Sequence, residues 1–313
     1  RTRGIWYVLG GNYPKAIEEF GALVHQFPAD SAGQNNLAYA YFAAREMNRA
    51  VEQGWLYVKI YPNNINGQYN LAWYAIGAGD FALGLSQAQK TIGLNPKFEK
   101  AYVCAALSEL AQGRAAEAAS WYEKLRPVNF WASSLADIGL ADIALYEGRL
   151  TEAVAILDKG IEADVANKRP ELAAEKWVML GQARLARGQN QKAVEAADRA
   201  LGLLNELNIA FPAAEIYIAA GLENKAAAIA KDLGQNLEPE PRAHAKIIDA
   251  LIAAKAGRPN DAVAACLEAQ KIVDTWVGRL TLGKAYLEAK AFAEAHSELD
   301  LCLKRRGEAA SLF

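Results

Sequence analysis

Asn36-Leu37-Ala38 recurs 34 residues later as Asn70-Leu71-Ala72, and Pro62 recurs at the same distance as Pro96. A fixed period of that length constrains a chain more than composition does. Each period must be one supersecondary unit that buries its apolar face against the next. It has room for two helices of about 12–15 residues with their turns, and helices that short are marginal in water without a neighbour. Sustained period-two alternation is absent, and no glycine-rich phosphate loop follows a strand-like run. The spacing predicts an all-α stack of about nine helical hairpins over residues 1–313. This is read as a single solenoid, with N-terminal repeats at 1–130 and C-terminal repeats at 131–313.

The units align on the turn between their helices. The first is truncated: Tyr7-Val8-Leu9, the turn Gly10-Gly11-Asn12, then Ala16, Phe20, Leu23 and Pro28. Units near 31–64 and 65–98 turn at Arg45-Glu46-Met47-Asn48 and at Gly79-Asp80. The unit near 99–130 leaves the pattern at 126–131, where a change of pitch is expected. The unit near 134–167 runs into the polar stretch 164–169, read as a long exposed connection, and Pro170 is placed to start a helix. Trp177-x-x-Leu180-Gly181 opens the clearest unit, near 174–207. Units around 207–273 are looser, and 237–242 is not expected to be helical throughout because Pro239 and Pro241 lack donors. Leu282-Gly283, Tyr286 and Ala295 restore the pattern. The segment 307–313 reads as the opening of a further helix without a polar cap, and no initiating Met is present. Together these predict a fragment or processed product, or an end that docks on a partner.

Composition removes several classes of function. With 34 basic and 36 acidic residues the formal charge is −2, so the basic stripe of a general nucleic-acid binder is not expected. No run of 18 apolar residues exists, and no transmembrane segment is expected. Cys104, Cys266 and Cys302 are too scattered for a disulfide framework or metal knuckle, and read as small apolar residues in helix contacts. A reducing, cytoplasmic compartment is favoured, with the periplasm as the alternative. His25, His244 and His296 fall in different units without metal-like spacing, so no catalytic residue, cofactor or metal is assigned. Lys304-Arg305-Arg306 reads as a favourable basic helix end, with contact to an acidic partner or phosphate as the alternative.

The chain resembles the tetratricopeptide repeat family, and the residues that carry the likeness are Trp177-x-x-Leu180-Gly181, Leu37-Ala38-x-x-Tyr41 with Ala50, Tyr57 and Pro62, and Leu282-Gly283-x-x-Tyr286 with Ala295. The resemblance covers nearly the whole chain. It implies a right-handed superhelix whose first-helix faces line a concave groove, and a role in binding or assembly without catalysis. The closing segment from Leu282 to Ala309 is also similar to repeat regions of larger bacterial multidomain proteins, some carrying a protein kinase, although no kinase motif occurs here.

Helical periodicity places Asn35, Tyr39 and Phe42 on the groove face of the second unit, Tyr69, Trp73 and Ile76 on that of the third, and Lys100, Val103 and Leu107 on that of the fourth. Such an aromatic, weakly polar lining suits an extended peptide or partner helix, and the amides of Asn36 and Asn70 are placed to bond a ligand backbone. Family grooves that clamp a terminal carboxylate use a lysine that the matched positions lack. The expected function is a protein-interaction scaffold, its partner a protein, a peptide or another domain of the parent chain. Alternatives are a regulatory or sensory repeat segment of a bacterial signalling protein (a kinase or transcriptional regulator) and an accessory protein that binds glycan or lipid, since sugars also stack on Tyr69 and Trp73.

Overall fold

The computed structural model describes residues 1–311. Its regular structure over those residues is entirely helical, in nineteen helices. The described residues divide into two compact units, one built from 1–128 together with 305–311, the other from 129–304.

The first unit holds four hairpins: α1 (Thr2–Leu9) with α2 (Tyr13–Gln26), α3 (Ser31–Ala43) with α4 (Met47–Ile60), α5 (Ile65–Gly77) with α6 (Phe81–Leu94), and α7 (Glu99–Leu110) with α8 (Ala115–Leu125). Here the period acts atom by atom. The Pro28 and Pro62 carbonyls accept from Gln34 Nε2 and Gln68 Nε2, each at 2.7 Å, and the Pro96 carbonyl accepts from Tyr102 Oη at 3.0 Å. Each bond ties the start of a hairpin to the preceding linker, where proline's fixed φ fits an extended backbone. Asp30 and Asn64 cap α3 and α5 by accepting from the Gly33 and Gly67 amides at 3.1 and 2.8 Å. The turn within each hairpin needs one left-handed residue. Gly11, Gly79 and Gly113 supply it, but at the same position Arg45 adopts φ 62°, a conformation that costs a residue with a Cβ about 1–2 kcal/mol.

The second unit keeps the hairpins and loosens the period. Its pairs are α9 (Phe130–Tyr146) with α10 (Leu150–Ala166), α11 (Pro170–Ala186) with α12 (Asn190–Leu203), α13 (Leu207–Ala219) with α14 (Glu223–Gly234), α15 (Pro239–Lys255) with α16 (Pro259–Ile272), and α17 (Trp276–Glu288) with α18 (Phe292–Lys304). Helices α9, α10 and α11 have 17 residues each, against 11–14 for α2 to α8, and the added turn explains why repeats drift apart here. One expectation is corrected. Asp164 does not belong to an exposed connection: α10 runs on to Ala166, and Asp164 is 1% exposed. Its carboxylate meets Lys176 Nζ at 2.6 Å and Ser134 Oγ at 3.1 Å, and Lys176 also bonds Ser134, forming a dry polar cluster among α9, α10 and α11. As expected, 237–242 is not helical throughout: 237–238 lie outside the helix, and Pro239 and Pro241 fall in the first turn of α15, where the missing N–H groups have no intrahelical acceptor to lose. A last helix, α19 (Arg306–Ser311), packs against α5 in the first unit.

Within each unit successive first helices touch, as α5 does α7, and as α9, α11, α13, α15 and α17 do in turn, whereas successive second helices make at most marginal contact. Small residues permit the approach: Ala72, Ala106, Ala141 and Ala214 are 0% exposed.

Candidate functional site

In the first unit, Tyr39 of α3 is 46% exposed. Tyr69 and Trp73, one turn apart on α5, are partly buried and stack with centroids 6.4 Å apart and planes at 29°; Tyr69 also lies 5.1 Å from the Phe98 ring. Lys100, at the start of α7, is exposed. Asn35, Tyr39, Tyr69, Trp73 and Lys100, the candidate wall, are each at least partly reached by solvent on α3, α5 and α7, while Tyr69 and Trp73 also pack against the buried cluster around Ala72 and Ile76.

Three expectations are modified. Phe42 and Ile76 are 7% and 0% exposed and belong to the core, Phe42 against Tyr74 at 5.2 Å. Each follows Tyr39 or Trp73 by three residues, and a 300° advance swings the side chain away from the wall into the hairpin. Asn70 does not present its amide nitrogen to a ligand: Nδ2 donates to Asn35 Oδ1 at 2.9 Å, an inter-repeat bond between α5 and α3. Asn36 is partly buried beside it in sequence.

Burial pushes the pKa of the Tyr69 and Tyr74 phenols and of the Cys104 thiol well above their ordinary values and holds all three protonated. Tyr74 Oη is buried near the Tyr39 and Tyr69 phenols and has no hydrogen-bond partner among the described residues. Tyr57, by contrast, places its Oη 3.1 Å from Ser31 Oγ. Tyr74→Phe is therefore expected to leave stability unchanged or raise it by up to about 1 kcal/mol, while Tyr57→Phe loses about 1 kcal/mol. Urea denaturation of the two variants checks this, and a loss above 1 kcal/mol for Tyr74→Phe would contradict it.

The second unit carries different residues at the matching positions. The position after the small packing residue, occupied by Tyr39 and Trp73 in the first unit, is Asp142, Gln182, Glu215, Leu251 and Lys284 after Ala141, Gly181, Ala214, Ala250 and Gly283. Asp142 and Glu215 are reached by water, yet crowding by protein pushes both carboxyls up, with Lys284 partly offsetting the effect at Glu215. Glu175 is raised by the same burial. The sequence reading missed these carboxylates because it followed aromatic residues; following the position after each small residue would have reached Asp142 and Glu215.

Among the described residues no group of three His, Cys, Asp or Glu side chains could hold a metal ion. His244 is a core residue, 1% exposed, with its ring edge-on to Phe211 at 5.0 Å and Nδ1 2.9 Å from the Glu240 carbonyl. The basic stretch before α19 is engaged within the protein: Lys304 with Asp300 at 2.7 Å, Arg305 with Glu308 at 2.6 Å, and Arg306 over the Phe81 ring at 5.4 Å. No described helix is long and apolar enough to cross a membrane.

The sequence profile of the tetratricopeptide repeat family matches residues 7–65, 69–131 and 138–208. No curated protein sequence matches the chain. Among solved structures, a tetratricopeptide repeat protein from Parabacteroides merdae aligns with TM-score 0.58 at 18% identity, over 82% of this chain and 96% of that one. Yeast Tom70 aligns with TM-score 0.64 at 16% identity, over 93% of this chain and 60% of its own. A human IFIT1 dimer with PPP-AAAA aligns with TM-score 0.53 at 15% identity, over 96% and 81%. At these identities the likeness is one of fold.

Proposed function

Because the chain belongs to the tetratricopeptide repeat family, we propose that it is a non-catalytic scaffold that holds an extended peptide segment of a partner protein on the concave wall of its first unit. An all-α repeat fold of this kind is a protein- or peptide-binding architecture in general; the choice of wall is the proposal. One observation carries it: Tyr39 stands 46% exposed on the same first-helix layer as the stacked Tyr69–Trp73 pair. Rigid aromatic surface of this sort gives large contact area at low entropic cost, and anchors apolar side chains of a bound segment. Lys100 adds a cation at one margin for a carboxylate or carbonyl of the ligand. Three buried thiols suit a reducing compartment.

Random peptides displayed on phage and selected on the full chain supply a probe without a known partner. Peptides so enriched are expected to bind at least tenfold more weakly to Tyr69→Ala/Trp73→Ala and to Tyr39→Ala, with helical circular dichroism and melting retained. Tyr39 is the more exposed, so its variant tests the wall without disturbing the core. Undiminished binding to both folded variants would reject this wall.

A further inference from the structure

Helix α19 spans six residues, too few to persist unaided, and four contacts hold it on the first unit. Gly307 lies so near the end of α5 that a Cβ there would come within 2.1 Å of the Ile76 carbonyl oxygen and 2.5 Å of that of Gly77, so only bare backbone fits. The Glu308 carboxylate, 3% exposed, accepts from Arg305 Nε at 2.6 Å and Nη2 at 2.7 Å, and lies 4.0 Å from Arg45 Nη1. Ala310 packs on the apolar cluster of Ala72, Ile76 and Phe81. The Arg306 guanidinium covers the Phe81 ring.

Arg45 gives the set its meaning. It holds a left-handed backbone where the other three hairpins of the unit use glycine, and its side chain is 15% exposed against Glu308. A strained arginine kept where glycine would relax the turn points to use of its side chain. We propose that the Arg45 turn, the end of α5 and Phe81 form a recognition site for a short helical peptide of the type Arg-Gly-Glu-small-small. Residues 305–311 are its built-in, exchangeable occupant. The glycine selects by shape, the carboxylate by pairing with a guanidinium, and the small residue by fitting the apolar cluster. A tethered occupant acts at an effective concentration of about millimolar, so an external peptide of the same chemistry binds well only after the tail is released. The site lies on the turn edge of the second and third hairpins and does not depend on ligand binding at the concave wall.

The test uses the full chain with Gly307→Val or Glu308→Arg, and a fluorescein-labelled peptide reproducing residues 304–313. Hydrogen exchange is expected to show lost protection across 305–311 in both variants, with melting of the remaining helices retained. Both variants should bind the peptide at least tenfold more tightly than the wild-type chain, and adding Arg45→Glu should remove that gain. A tail that stays protected in both variants overturns the proposal, and so does a released chain that binds the peptide no better than wild type. Should Gly307→Val not fold, Glu308→Arg decides alone, since it alters only the charge of a side chain at the seat.

Discussion

Replacing Lys176 by methionine is expected to destabilise the second unit by about 3–5 kcal/mol. Lys176 is 0% exposed and Asp164 1%, and their ion pair at 2.6 Å is completed by Ser134, itself 3% exposed. Methionine is close to lysine in shape, so packing around Gly160, where a Cβ would come within 2.7 Å of Lys176 Cε, changes little. What changes is the charge balance. The Asp164 carboxylate stays buried with its cation gone, and a buried charge without its partner is among the most expensive defects a folded protein can hold. Lys176→Met/Asp164→Leu/Ser134→Ala removes the whole polar cluster and is expected to recover most of the loss, because an apolar replacement of a complete buried pair is often neutral or stabilising. Guanidinium denaturation followed by circular dichroism measures both. A single-variant loss below 1 kcal/mol, or a triple variant no better than the single, would show that the cluster does not act as a unit.

The same cluster marks where sequence stops being a guide. In the first unit strict spacing equates residues one for one: Pro28, Pro62 and Pro96 stand in line, as do Gln34, Gln68 and Tyr102, and each set proves to make one bond. The stack and its small packing residues were legible there because period and helix phase say the same thing. Ser134, Asp164 and Lys176 follow no period. They are 30 and 12 residues apart on three lengthened helices, and only the aligned extra turns bring them together. Phase also has finite resolution: Phe42 and Ile76 differ from wall positions by 60° of rotation, enough to move a side chain from groove to core. The destination of α19 was illegible for another reason. Its fit depends on a missing Cβ at Gly307 meeting carbonyls of α5, a tertiary contact with no echo elsewhere in the sequence.

Gly67→Val is expected to cost the first unit about 2–4 kcal/mol, against a gain of about 1 kcal/mol for Gly93→Ala. Both glycines are helical, and they differ in what a side chain would meet. At Gly93 nothing lies within 4 Å, so alanine only restricts the unfolded chain and improves helix propensity. At Gly67 an added Cβ would come within 2.3 Å of Tyr57 Cε1 and 2.6 Å of Cδ1. The Tyr57 ring cannot withdraw easily, since its hydroxyl bonds Ser31 and its face meets Tyr61 at 5.2 Å. Moving the backbone instead disturbs the cap in which the Gly67 amide donates to Asn64 Oδ1 at 2.8 Å. The strain therefore falls on one ring–backbone contact between α4 and α5, and relief should be specific to that ring. Tyr57→Leu in the Gly67→Val background is expected to be at least 1 kcal/mol less damaging than Tyr57→Leu alone, a favourable coupling read from a double-mutant cycle in urea. Additive losses would place the cost of Gly67→Val in the backbone and cap rather than in the contact that seats one hairpin on the next.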